Sequence, residues 1–182
     1  MMCVSLIRSR YSLLFLFAIA LTQAARAEER ISIDKLSGLV GQWNTSANFG
    51  SMKDIGTSSW HWKFGPDKKS LVGEHKIDQT RPIPLSIRIV TTLFIADGKL
   101  MKMEWVSGAM DGKSHSRLVE VEVAVQEDGM TTLTYPAAEW ENRFFSDFHI
   151  DFGDGKFSKS GWKGDRKIFE TVDVKRTASP EE

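Results

Sequence analysis

Histidine is the side chain in this sequence best suited to metal binding or proton transfer, and it occurs at His61, His75, His115 and His149. Each stands alone, since no second histidine or cysteine follows at the short spacings that place two ligands on one metal ion. We therefore expect no motif-built zinc site and predict no metal ligand. Histidines distant in sequence can still converge inside a barrel.

Signatures of enzyme nucleophiles and nucleotide sites are missing from the sequence. The segment 56–60 (GTSSW) does not fit the Gly-x-Ser-x-Gly elbow that presents a catalytic serine. No glycine-rich loop opens a helix, as a phosphate site requires. The single cysteine, Cys3, lies in a segment predicted to be removed, and the pair Glu139 and Glu141 is typical of a surface. The sequence predicts no catalytic residue.

An aromatic stripe, Trp60 and Trp62, alternates with polar residues, as side chains on the inner face of a half-buried strand do. In the next alternating segment, His75 shares a face with apolar neighbours. These residues are either solid core or the lining of an apolar pocket in which His75 supplies a polar contact. As a core residue, His75 is expected to be hydrogen-bonded.

A second stripe, formed by Met101, Met103 and Trp105, has the same two-residue spacing. Methionine adapts to irregular apolar shapes, so this stripe is predicted to face inward, again as core or as pocket lining. The charged residues between its members, Lys102 and Glu104, are accordingly expected on the opposite face.

His115 and Arg117 stand at the start of another alternating segment and share a face with Val119 and Val121. This position predicts that both residues lie near the mouth of the barrel. An arginine there suits a ligand carboxylate, because its guanidinium offers forked donors. The alternative is that both residues are solvated at the rim.

Strands must position these side chains, because two-residue alternation dominates the chain after residue 41. Asp-Gly pairs, whose residues tolerate the positive φ of tight hairpin turns, separate the alternating segments. They stand at 97–98, 111–112, 128–129 and 154–155. Ahead of them, residues 33–40 predict one short helix that Asp34 caps and Gly41 ends.

The pattern predicts about ten strands, each joined to the next by a short turn. They are placed at 41–49, 56–64, 70–78, 84–95, 99–107, 115–126, 130–136, 143–152, 155–163 and 166–177. A meander of that length closes on itself, which removes exposed edges. The predicted fold is therefore all-β, a single antiparallel up-and-down β-barrel of about ten strands with a short N-terminal helix. It spans 28–177 and precedes a polar tail, 178–182.

The segment 36–44 (LSGLVGQWN) runs from the predicted helix into Gly41-x-Trp43 at the start of the first strand. It resembles the Gly-x-Trp opening of the calycin superfamily, which includes lipocalins and fatty-acid-binding proteins. In those families a basic residue on the last strand packs across the tryptophan, and Arg176 matches that position. The resemblance implies a structural role for Gly41, Trp43 and Arg176, with a cation on the indole face worth roughly 1 kcal/mol.

Over residues 31–177 the layout also resembles a bacterial group of secreted lipocalin-like domains of unknown function. The strand number is similar to that of the haem-binding nitrobindin-type barrels. No histidine lies near the C-terminal end to match their proximal ligand, however, and no cofactor is predicted.

The segment 1–27 has the form of a secretory signal peptide. Arg8 and Arg10 precede an apolar run at 13–21, and the small residues at 25–27 (ARA) fit a signal peptidase site. The apolar run is about half the roughly 20 residues that cross a bilayer. Cleavage is therefore predicted, with no stable membrane span afterwards, and the mature protein is expected to be periplasmic or secreted.

The whole chain carries 24 basic and 24 acidic residues, and the predicted signal removes only basic ones. We expect no nucleic-acid binding, because the mature chain has no basic block interleaved with aromatics. A barrel of eight or more strands has room for one small ligand. The favoured function is thus the binding of a small hydrophobic or amphipathic molecule. The residues predicted to line its site are Trp60, Trp62, His75, Met101, Met103, Trp105, His115 and Arg117.

Two alternatives stay open. One is a structural or partner-binding module with a filled barrel, which an exposed aromatic patch outside the barrel would favour. The other is a hydrolase-type enzyme on the same scaffold, in which His75, His115 or Glu74 converge in the mouth.

Overall fold

The structure, a computed structural model, describes residues 32–81, 84–108 and 112–177. A 3₁₀ helix (Ile33–Leu39) is followed by ten strands. They are β1 (Gly41–Phe49), β2 (Met52–Phe64), β3 (Ser70–Gln79), β4 (Leu85–Ala96), β5 (Lys99–Ser107), β6 (His115–Val125), β7 (Thr131–Pro136), β8 (Asp147–Gly153), β9 (Lys156–Lys163) and β10 (Arg166–Thr177). The predicted signal peptide, 1–27, and the polar tail, 178–182, lie outside the described residues. Within the described ranges, no helix has the length and apolarity that crossing a bilayer requires.

The strands form one closed sheet. Each strand pairs antiparallel with its successor in the chain, and β1 pairs with β10 to complete the barrel. The predicted all-β, up-and-down barrel with a short N-terminal helix is therefore confirmed. The larger differences in strand limits are the starts of β2, at Met52, and of β8, at Asp147. Residues 143–146, predicted as strand, instead belong to a turn in which the amides of Phe144 and Phe145 donate to the carbonyl of Glu141.

Tight turns follow the predicted Asp-Gly pairs. Asp97 and Gly98 have φ angles of 51° and 77°, and Asp154 and Gly155 have 48° and 71°. Positive φ at both central residues is typical of the type I′ turn, whose twist matches that of a hairpin. The local sequence therefore fixes how β4 meets β5 and how β8 meets β9.

The 3₁₀ helix closes one end of the barrel. Ser32, rather than the predicted Asp34, is its N-cap, because the Ser32 hydroxyl accepts a hydrogen bond from the Asp34 amide at 3.4 Å. Leu36 and Leu39 are fully buried, and the helix contacts β3, β4 and β8. We call this the closed end.

The calycin-like residues meet at the closed end. The guanidinium of Arg176 lies 5.3 Å from the ring centroid of Trp43 and donates to the Val40 carbonyl at 2.9 Å. The Trp43 indole donates to the Leu39 carbonyl at 3.0 Å. Gly41 has a φ of 133°, and a Cβ there would stand 3.1 Å from Nε of Arg176. The packing of Arg176 across Trp43, expected from the resemblance, is present.

The prediction of which β5 side chains face the barrel interior is wrong. Met103 and Trp105 are exposed on the outer surface, with 52% and 43% of their area accessible, and Met101 shares that outer face. Lys102 and Glu104 point into the barrel and are buried. The sequence predicts that Lys102 and Glu104 face solvent. In the structure they form an ion pair with each other in the barrel interior.

Candidate functional site

Four charged side chains form a chain of ion pairs in the barrel interior. Lys102 Nζ contacts Glu104 Oε2, and both side chains are almost fully buried. Arg117 Nη2 lies 3.6 Å from Glu104 Oε2 and 3.5 Å from Glu141 Oε2. Arg117 Nη1 also donates to the Pro136 carbonyl at 2.8 Å. Two cations thus face two carboxylates, which is how buried charges are tolerated in a protein interior.

Lys102 is further held by an aromatic ring. Its Nζ lies 3.9 Å from the ring centroid of Tyr135. Burial, together with the positive charges of Lys159 and Arg117, holds the pKa of Lys102 well below its usual value. Burial raises the pKa of the Tyr135 hydroxyl, which therefore stays protonated at neutral pH.

Lys159 on β9 is an interior cation with no carboxylate at ion-pair distance among the described residues. Its Nζ instead lies 5.2 Å from the ring centroid of Trp60 and 4.8 Å from that of Phe148. Burial lowers the pKa of Lys159 to about 8, while the Glu141 charge opposes this shift. Lys159 is therefore mostly protonated at neutral pH and is stabilised by aromatic faces.

Three stacked rings carry buried polar atoms. The ring centroids of Trp60 and His75 are 3.4 Å apart, and those of Trp60 and Trp62 are 6.1 Å apart. In the described part of the chain, neither indole Nε1 and neither His75 nitrogen has a hydrogen-bond partner. His75 is thus not the hydrogen-bonded core residue considered above. Burial and the charges of Lys159 and Lys102 lower the pKa of His75 well below its usual value, so the imidazole is neutral.

Little space remains between these side chains. The cavity bordered by Trp60, Trp62, Lys102, Tyr135 and Lys159 has a volume of about 10 Å³ open to the centre of a water molecule. Such a volume holds about one water. The interior is nearly filled, so a large apolar ligand requires side chains or a covering segment to move.

A segment across the other end of the barrel, residues 137–146 between β7 and β8, is named here the mouth segment. Its Trp140 ring stacks on His115, with centroids 4.3 Å apart and planes inclined by 22°. Its Glu141 carboxylate reaches Arg117, whose guanidinium carbon also lies 5.8 Å from the Trp140 ring centroid. His115 and Arg117 therefore stand near the mouth, as predicted, and the mouth segment contacts both.

The structure brings only part of the predicted ligand site together. It places Trp60, Trp62, His75 and Arg117 in the interior, His115 at the mouth, and Met101, Met103 and Trp105 on the outer surface. Contact of the inner residues with a ligand stays a prediction.

Sequence reasoning missed the interior roles of Lys102, Glu104, Tyr135 and Lys159. One signal was present on β5, where Lys102 and Glu104 lie in two-residue register between Leu100 and Val106, both of which are buried. An apolar residue at each end of a charged pair on the same face indicates burial of the pair.

Outside the barrel, three apolar residues form what we call the outer patch. Met103 and Leu118 are opposite each other on β5 and β6, and Trp105 lies two residues further along β5. Leu118 is 58% exposed, the largest fraction of the three. Exposed apolar groups clustered in this way are typical of contact surfaces.

Comparison of the chain with protein-family models, with curated proteins and with solved structures finds no match.

Proposed function

We propose that this chain is an exported protein, periplasmic or secreted, that binds a small amphipathic molecule in its barrel, with the acidic group of the ligand toward Arg117 and Lys159. The observation that carries the proposal is a set of buried hydrogen-bond donors in the barrel that have no partner among the described residues. They include Nε1 of Trp60, Nε1 of Trp62 and Nε of Arg117.

Unpaired buried donors call for an acceptor. Leaving one unsatisfied costs about 1–3 kcal/mol, and native structures keep few of them. A bound carboxylate offers two oxygens, each able to accept more than one hydrogen bond. An acidic ligand that reaches these donors would therefore offset that cost.

The charge of the interior also favours an anion. Among the side chains that the structure describes, Lys102, Arg117 and Lys159 are the basic groups of the interior, and Glu104 and Glu141 are the carboxylates that pair with them. The cation left over is Lys159, which faces aromatic rings instead of a carboxylate. A monoanionic ligand would balance it, and Arg117 adds the forked donor geometry that carboxylates accept.

The size of the cavity limits the ligand. Because the free volume is about that of one water, a long apolar chain does not fit beside the Trp60, Trp62 and His75 stack. We therefore expect a short acid, or one whose apolar part enters only after the mouth segment moves. The small cavity therefore restricts the ligand further than the sequence does, which predicts only a small and largely apolar molecule.

The first test is native mass spectrometry of the protein purified from its own compartment, where a co-purified small acid is expected. The second is calorimetric titration with hexanoate, with 1-hexanol as the uncharged control of equal chain length. Arg117→Met is expected to weaken hexanoate binding about tenfold or more. The matched variant Arg88→Met removes an exposed arginine on the outer face and is expected to bind normally. A native mass equal to that of the protein alone, together with no hexanoate binding, would overturn the proposal.

The outer patch favours a second candidate, a partner-binding module whose nearly filled barrel is a scaffold. The partner we consider is a second copy of this chain, because the patch is bordered by charges of both signs, Arg88 on β4 and Glu120 on β6. Light scattering after gel filtration tests it. A dimer that Trp105→Ser makes monomeric supports this candidate, and a monomer at every concentration excludes it.

A further inference from the structure

Glu141 is one of several polar residues that fix the mouth segment to the barrel. The Asn142 carbonyl accepts a hydrogen bond from Lys163, and the Ser146 amide donates to the Trp162 carbonyl at 2.6 Å. Glu141 is the one that reaches Arg117. Its Oε2 accepts a hydrogen bond from the Ala138 amide at 3.0 Å and lies 3.5 Å from Arg117 Nη2. The carbonyl of Glu141 accepts from the amides of Phe144 and Phe145 at 2.9 and 3.0 Å. Glu141 is thus both the centre of the turn and the group that ties the turn to an interior cation.

Ring contacts hold the rest of the mouth segment in place. Phe145 packs on Phe148, with centroids 4.8 Å apart, and on Phe49 at 6.0 Å. The Phe145 ring occupies the space that Gly161 leaves, since a Cβ at Gly161 would stand 2.7 Å from it. These contacts are apolar, and among the polar contacts of the segment the one made by the Glu141 carboxylate reaches Arg117.

The two carboxylates at Arg117 differ in how readily each can leave. Glu104 is buried and also bound to Lys102, so moving it would strand a buried lysine. Glu141 keeps 26% of its side-chain area exposed and belongs to a connection at the end of the barrel. Its carboxylate can therefore turn to water at small cost in solvation, which makes it the replaceable partner.

We infer that the Glu141 carboxylate occupies an anion position at Arg117, and that an entering acid displaces it and thereby releases the 138–145 turn from Arg117. This inference rests on the proposed function and adds its entry route and its internal competitor. Displacement exchanges one carboxylate for another at Arg117, so an ion pair at Arg117 is conserved while the turn loses its contact with that residue.

Glu141→Gln tests the inference. The amide keeps an oxygen acceptor for the Ala138 amide but loses the charge that competes for Arg117. We expect hexanoate to bind the variant about tenfold more tightly than the unmodified protein, because the competing carboxylate is gone. The matched control is Glu139→Gln, which makes the same change at an exposed site two residues away and is expected to leave the affinity unchanged.

Hydrogen exchange gives a second readout that does not depend on affinity. Binding of hexanoate to the unmodified protein is expected to speed exchange at the amides of Phe144 and Phe145. Equal affinities in Glu141→Gln and Glu139→Gln, with exchange at those amides unchanged, would overturn the inference while leaving small-molecule binding intact. Absence of hexanoate binding in the unmodified protein and in both variants would instead remove the proposed function, and the inference with it.

Discussion

Lys102 and Glu104, two residues apart on β5, form an ion pair inside the barrel, with side chains only 4% and 5% exposed. Both side chains point into the interior, whereas the apolar side chains of Met103 and Trp105 on the same strand lie on the outer surface. A buried pair is stable only while both members remain, because the desolvation of each charge is offset by the other.

Removing one member of that pair is therefore expected to destabilise the protein strongly. Lys102→Met should lower the free energy of unfolding by roughly 3 kcal/mol, since Glu104 stays buried with only Arg117 near it. The double variant Lys102→Met with Glu104→Leu should recover most of the loss. Urea denaturation measures each. Lys99→Met, which breaks the exposed pair with Glu120, serves as control and should change stability by under about 1 kcal/mol.

A glycine under the aromatic stack gives a second prediction. A Cβ at Gly73 would stand 2.6 Å from the Trp62 ring, and this ring is buried, with 1% of its area exposed. Gly73→Ala is expected to cost about 1–3 kcal/mol of stability through overpacking. In a double-mutant cycle, Trp62→Leu should absorb part of that cost. Strictly additive losses would mean that the two residues do not touch.

The closed end supplies a third prediction. Arg176→Ala removes the cation over Trp43 and the hydrogen bond to the Val40 carbonyl, and should cost roughly 1–2 kcal/mol. Lys175→Ala, at the neighbouring exposed position, should be close to neutral. Thermal unfolding compares the two. Equal midpoints would mean that Arg176 adds nothing to closure of the barrel.

The sequence predicts the barrel well because its signals are local. Alternation places a residue such as Trp60 on one face. Asp-Gly pairs such as 97–98 tolerate the positive φ that hairpin turns require, and the structure has positive φ there. Gly41-x-Trp43 likewise marks the closed end within three residues.

The side-chain contacts in the barrel interior could not be predicted from local sequence signals. Lys102 faces inward because Glu104 and Tyr135 meet it there, and Arg117 pairs with the same glutamate. Tyr135 and Arg117 lie on other strands. Tertiary pairing of this kind overrides the preference of lysine for water. The small free volume depends on how Trp60 and Trp62 stack, which alternation alone does not specify.

Lys159 gives the last prediction, a dependence of stability on pH. Burial lowers its pKa to about 8 in the folded protein, whereas an unfolded lysine titrates near 10.4. Between these values the unfolded chain binds more protons than the folded one, so the free energy of unfolding rises with pH. Lys102, with its lowered pKa, acts in the same direction. Tyr135, with its raised pKa, acts against it above about pH 10, where an unfolded tyrosine ionises.

Urea denaturation from about pH 8 to about pH 9.5 should therefore show stability rising by up to about 1 kcal/mol per pH unit. Lys159→Met removes the buried ammonium and should flatten this rise while increasing stability at neutral pH, since the desolvation cost is gone. Lys156→Met, on the same strand but exposed, should keep the slope of the unmodified protein. If stability rises with pH equally in Lys159→Met and in the unmodified protein, Lys159 titrates as a solvated lysine. It would then not be a buried cation, and the argument from interior charge for anion binding would fail.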